Sequence, residues 1–108
     1  MSAYAVGLLQ DVRLEQDIVN YLKRIDATIA PYGGRFLLHG QKPEVLEGVL
    51  QHDVVLIEFS DLERARTLYA SPAYQEILPL RTRNASSIVF LVDGLPAGHL
   101  ATDILQPA

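Results

Sequence analysis

The stretch Asp53-Val54-Val55-Leu56-Ile57-Glu58-Phe59 constrains the fold of this chain more than any other. Successive side chains of a strand point to opposite faces, so Val54, Leu56 and Glu58 share one face and Val55, Ile57 and Phe59 the other. Both faces are mainly apolar, and both therefore need a cover. The run SIVFLV at 87–92 has the same character. In RFLLH at 35–39, simple alternation puts Arg35, Leu37 and His39 on one face and Phe36 and Leu38 on the other. AYAVGLL at 3–9 fits a buried strand, although periodicity alone does not separate a short apolar run from a piece of helix.

Between these runs lie helical patterns. Ile18, Leu22, Ile25 and Ile29 recur at helical spacing, with Asp17, Lys23, Arg24 and Asp26 between them. This is an amphipathic helix of about four turns. Pro31-Tyr32-Gly33-Gly34 closes it, because glycine takes the left-handed conformation at little steric cost. Ser60-Asp61-Leu62-Glu63 reads as a capping box with Ser60 as N-cap, starting a helix at 61 that runs to about 70. Pro72 disfavours helical backbone at Ser71, so that helix stops there. Ser71 then suits the N-cap of a short second helix with Pro72 at its first position. Pro79 is expected to end or kink it.

The order is βαββαβ with a short extra helix before the last strand. This predicts an α+β, ferredoxin-like domain: a four-stranded antiparallel sheet with its helices on one face. The other face is apolar and uncovered, and a second copy of the chain is the simplest cover. With 108 residues, one domain is expected. Its boundaries are placed at residues 1–94, followed by a Gly/Pro-punctuated C-terminal tail at 95–108.

The residues also carry a resemblance. Tyr32-Gly33-Gly34-Arg35-Phe36-Leu37, Glu44-Val45-Leu46-Glu47-Gly48, Ile57-Glu58-Phe59, Ala65, Tyr69, Ser71-Pro72, Tyr74-Gln75 and Leu80-Arg81 together resemble the DUF1330 family, within the dimeric α+β barrel superfamily. The likeness covers about residues 3 to 93. It implies a homodimer whose two sheets face each other as a barrel, and many members of that superfamily hold small organic molecules in a cleft between sheet and helices. Gln41 departs from the pattern, since a second glycine often follows the position of Gly40.

Several polar residues stand in otherwise apolar elements. His39 and Glu58, placed on the inner two strands of the expected sheet, could form an acid–base pair; the competing account is a strand-end charge or an ion pair with Arg35 or Arg81. Arg35 and Arg81 could converge on a carboxylate ligand, since guanidinium matches carboxylate geometry; pairing with Glu47 or Glu58 is the alternative. Tyr69 and Tyr74 could line a pocket, or simply satisfy each other's hydroxyls through structural hydrogen bonds.

Other chemistries find little footing. There are no cysteines, which excludes disulfides and thiol nucleophiles and fits a reducing cytoplasm. His39, His52 and His99 do not fall at metal-ligand spacing, so neither metal nor cofactor is expected. Gly33-Gly34 is not a phosphate loop, and no serine stands in a GxSxG context. The net charge of −4, with nine scattered Lys and Arg, argues against nucleic acid. No apolar stretch is long enough to span a membrane, and the N-terminus lacks a signal pattern, so a cytoplasmic protein is expected.

The expected function is therefore binding of a small organic molecule, an acid among the candidates, in a cleft of a homodimer. Arg35, Tyr69, Tyr74 and Arg81 are its expected ligand contacts. Any catalysis would be cofactor-free proton transfer or isomerisation, with His39 or Glu58 as base. The alternative is a non-catalytic dimerisation or interaction module, in which the cleft is filled by side chains.

Overall fold

The structure is a computed structural model that describes residues 1–106. Its elements are β1 (Ala3–Gln10), α1 (Gln16–Ile29), β2 (Arg35–Gln41), β3 (Asp53–Phe59), α2 (Leu62–Ala70), α3 (Pro72–Thr82) and β4 (Ser86–Asp93). The strands form one sheet in the order β2-β3-β1-β4, every neighbouring pair antiparallel. This is the ferredoxin-like arrangement expected of the sequence, and the ambiguous run near the N-terminus is its central strand β1.

The helices cover one face. Ile25 and Ile29 of α1, Ile57 and Phe59 of β3, Leu68 of α2 and Ile77 of α3 form the core between helices and sheet. Each such side chain, fully buried, is worth roughly 1.5–3 kcal/mol. In α1 the buried residues are Ile18, Tyr21, Ile25, Thr28 and Ile29. The inward stripe thus runs through Tyr21, and Leu22 lies at its edge, 43% exposed. Thr28 is accommodated because its hydroxyl donates to the Ile25 carbonyl at 2.7 Å.

After Ile29 the chain makes one 3-10 turn, Ala30–Tyr32, and reverses at Gly33, whose φ is 71°. Gly34 is needed for a different reason. A Cβ there would lie 2.5 Å from Ile29 Cγ2 and 2.7 Å from Phe59 Cε1, so only glycine lets β2 enter the sheet so close to the core.

Three local expectations are corrected. The N-cap of α2 is Asp61, not Ser60: the Asp61 carboxylate accepts from the Arg64 N–H at 2.8 Å, and the Ser60 hydroxyl accepts from the Arg64 guanidinium at 2.8 Å. Carboxylate and hydroxyl are near-equal caps, so a one-residue shift costs little. Of the two outcomes expected at Pro79, an end to α3 is overturned, since the helix runs on to Thr82; the missing N–H forgoes one backbone bond, while Ile77 and Arg81 on either side stay buried. The Ser71 expectation holds. Its hydroxyl donates to the Leu68 carbonyl at 2.6 Å and accepts from the Tyr74 N–H at 3.2 Å, closing α2 and opening α3.

The third correction concerns β2, an edge strand with two interruptions in its pairing to β3. Arg35 pairs with Glu58 and Phe36 with Ile57, but Leu38 pairs with Leu56 and His39 with Val55. Leu37 is therefore the extra residue of a bulge, and a second shift follows at Gly40, whose φ of 89° suits glycine. One extra residue reverses the phase of a strand. His39 consequently shares the helix-side face with Phe36, not the face of Arg35, and the two rings stack with centroids 4.3 Å apart.

The second sheet face carries no helix. Tyr4, Val6 and Leu8 of β1 lie there beside Leu56 of β3 and Ile88, Phe90 and Val92 of β4. Ile88 is 53% exposed, Phe90 44% and Val92 45%. This row of apolar side chains on adjacent strands is the uncovered face that the two-sided strands foretold.

Candidate functional site

Between sheet and helices the packing is incomplete, and the cause is visible in the sequence of β1. Its helix-side positions are Ala3, Ala5 and Gly7, opposite Phe59, Ile57 and Val55. A central strand with such small side chains leaves space beneath α1 and α3. The result is a partly open cavity of about 440 Å³, walled by Ala5 and Gly7 of the sheet and Ile18, Ile25, Val55 and Leu68 around them. The walls are predominantly apolar.

The polar groups that reach the cavity are Tyr21, His39, Asp53, Tyr69, Tyr74 and Arg81. Three of them meet at one corner, where α1 packs on α3. Tyr74, Ile77 and Arg81 are the buried residues of α3, spaced so that they share one face of the helix. Tyr21 comes from α1. The hydroxyls of Tyr21 and Tyr74 are 2.9 Å apart, with the rings edge to face at 6.4 Å. The Arg81 guanidinium lies over the Tyr21 ring, 5.9 Å from its centre. Tyr69 adds a third ring, 5.5 Å from that of Tyr74, and its carbonyl accepts from the Gln75 amide at 2.6 Å.

Arg81 is the unusual member. It is only 6% exposed. Among the described residues no carboxylate comes within ion-pairing distance of it. Asp17 of α1, beside the C-terminal end of α3, is engaged by Arg83 at 3.8 Å and by the buried Asn84 amide at 3.3 Å. Burial works against its charge; contact with Tyr74 and Tyr21 more than offsets this and holds its pKa above the ordinary guanidinium value. Burial also raises the Tyr21 phenol far above its usual range, with Tyr74 adding to the effect.

Of the residues singled out in the sequence, His39, Tyr69, Tyr74 and Arg81 line the cavity. Arg35 and Glu58 do not. They face each other across β2 and β3 on the helix-free side of the sheet, with Arg35 Nε donating to Glu58 Oε1 at 2.8 Å. That bond, helped by Ser2, holds the Glu58 carboxyl below its usual range. The structure thus separates His39 from Glu58 by the thickness of the sheet, and Arg35 from Arg81 likewise. His39 stands on the edge strand rather than an inner one. Tyr21 and Asp53 were not foreseen. Tyr21 had a signal, its three- and four-residue spacing from Ile18 and Ile25. Asp53 lies two residues before Val55 on the same face of β3 and is bonded by Lys42 at 2.8 Å.

Among the described residues no group of three or more His, Cys, Asp or Glu side chains could hold a metal ion. No helix among them is long and apolar enough to cross a membrane.

The family model described as "Domain of unknown function (DUF1330)" matches residues 2–95. No curated protein matches the chain. Among solved structures, a protein of unknown function from Rhodopseudomonas palustris superposes with a TM-score of 0.64 at 17% identity, covering 88% of this chain and 83% of its own. A dimeric ferredoxin-like protein of unknown function from Jannaschia gives 0.65 at 11% identity, covering 87% and 100%. SnoaB, a cofactor-independent oxygenase from Streptomyces nogalater, gives 0.62 at 15% identity, covering 90% and 96%. At these identities the likeness is one of fold.

Proposed function

The chain belongs to the DUF1330 family, and from that premise we propose that it forms a homodimer and binds a small organic molecule in the cavity between its sheet and helices. The cavity carries the reading. Its volume of about 440 Å³ falls in the range of small-molecule sites, roughly 300–1,000 Å³. Its apolar walls with polar groups gathered at one corner have the composition of such sites. The helix-free sheet face supports the homodimer, since an isologous contact would cover Ile88, Phe90 and Val92 on both copies at once. The dimeric ferredoxin-like protein from Jannaschia has the same fold.

If the bound molecule is also transformed, His39 is the general base this arrangement favours. It is the imidazole among the cavity-lining groups, and histidine is the side chain most often used for general acid–base catalysis. Glu58 faces the other way. SnoaB, a cofactor-independent oxygenase, has this fold, so chemistry without a cofactor is within its reach.

A dimerisation module is the second reading, favoured by the bare sheet face and by the exposed Leu100, Ile104 and Leu105 of the tail. It expects a filled cleft, and the open cavity weighs against it. Filling the cavity from its floor separates the two. Isothermal titration with indole and toluene should show saturable binding to the native protein. Ala5→Leu should abolish that binding while leaving the dimer mass unchanged. Absence of binding by any apolar probe to the native protein would leave the dimerisation module as the function.

A further inference from the structure

We infer that the ligand is a monocarboxylic acid with an apolar body, its carboxylate held by Arg81 and by the phenol pair Tyr21–Tyr74. This inference rests on the reading of the cavity as a small-molecule site and gives that molecule a chemistry.

The polar corner has a surplus of donors and of positive charge. Tyr21 and Tyr74 share one hydroxyl hydrogen across 2.9 Å, so one phenolic O–H remains to donate. Arg81 brings five N–H donors in a planar fork. Two neutral phenol oxygens can occupy part of that fork but cannot balance its charge. Buried charges in proteins are paired, yet among the described residues no carboxylate lies within ion-pairing distance of Arg81, and Asp17, beside the C-terminal end of α3, is taken by Arg83 and Asn84. What the corner lacks is an anion with two coplanar acceptor oxygens, and a carboxylate supplies this, accepting from the fork and from the free phenol together.

The rest of the cavity sets the remainder of the molecule. The walls of Ile18, Ile25, Val55, Ile57 and Leu68 offer nothing to a polar body. Among the described lining residues Arg81 is the one permanent cation, and on the sheet wall the charged lining group is Asp53, already bonded by Lys42. A second carboxylate would find no unpaired cation and would meet Asp53. The complement is one negative end and an aryl or alkyl remainder.

The test compares benzoate, benzamide, terephthalate and toluene by isothermal titration on the native homodimer. It is repeated on Arg81→Gln and on the milder Tyr74→Phe, each checked for fold by circular dichroism. Benzoate should bind about tenfold or more tightly than benzamide and terephthalate, as expected when a charge-assisted bidentate contact is made or lost. Arg81→Gln should erase the preference, and Tyr74→Phe should reduce it. If Arg81→Gln does not fold, the native acid-to-amide ratio and the Tyr74→Phe result decide. Toluene or benzamide binding as tightly as benzoate overturns the carboxylate while leaving the cavity as a binding site. A preference for benzoate that survives both substitutions overturns the assignment to this corner. No binding by any of the four probes overturns the cavity reading and this inference with it.

Discussion

Tyr21 of α1 and Tyr74 of α3 touch hydroxyl to hydroxyl at 2.9 Å, inside the helix–sheet layer and beside a buried arginine. The contact ties two helices that are far apart in sequence, and burial makes ionisation of Tyr21 costly. A phenol whose pKa is raised by folding keeps the native state stable below its ordinary pKa of about 10, and that stability is lost as pH climbs toward the raised value. Ultraviolet titration of the five tyrosines should therefore show one that ionises only together with alkaline unfolding. Tyr21→Phe should remove that late step. If the late step persists in Tyr21→Phe, the buried phenol lies elsewhere.

Glu58 gives the acid counterpart. Its pKa is lowered, first by the hydrogen bond from Arg35. A depressed carboxyl contributes stability above the ordinary carboxylate range, and this is lost as pH falls through the lowered pKa. Melting temperatures of native protein and Glu58→Gln should differ modestly at pH 7. They should converge as the buffer is taken below about pH 4. A constant offset across the whole range would contradict the ion pair as the source.

Gly34 should be intolerant. Gly34→Ala puts a methyl against the Ile29 methyl and the fully buried Phe59 ring. The expected loss is about 1–3 kcal/mol, the usual cost of overpacking, read from urea denaturation. Gly33→Ala should also destabilise, through its positive φ rather than a clash. An unaffected Gly34→Ala midpoint would mean that β2 enters the sheet less tightly than described.

The helix-free face should hold the dimer. Phe90→Asp places a charge in the middle of the apolar row on β4. Light scattering should then report a monomer where the native protein reports a dimer. A native mass equal to one chain would remove the homodimer, and a Phe90→Asp dimer would move its interface to another surface.

The sheet and helices were legible because their signals are periodic and local: two-sided apolar runs for the strands, a 3.6-residue stripe for α1, Ser71-Pro72 for the helix break. The site was half legible. Tyr69, Tyr74 and Arg81 stood out as polar groups in apolar elements and do line the cavity. Arg35 and Glu58 stood out for the same reason, yet they pair with each other on the far side of the sheet. What separated them from His39 is a single bulged residue, Leu37, and strict alternation has no means of registering it. Tyr21 escaped because Leu22 beside it fits the same stripe, and a leucine is the more ordinary core residue. The cavity itself was not legible, since it arises from what Ala5 and Gly7 fail to fill.

The most direct test of the cavity and its anionic ligand is a nuclear magnetic resonance titration of the isotope-labelled protein with benzoate. Saturable shifts should appear at the Arg81 side-chain Nε–H and at the rings of Tyr21 and Tyr74, with the Ile18, Ile25 and Val55 methyls following at the same apparent affinity. Shifts that leave Arg81 and these methyls unmoved while surface residues respond would contradict the account.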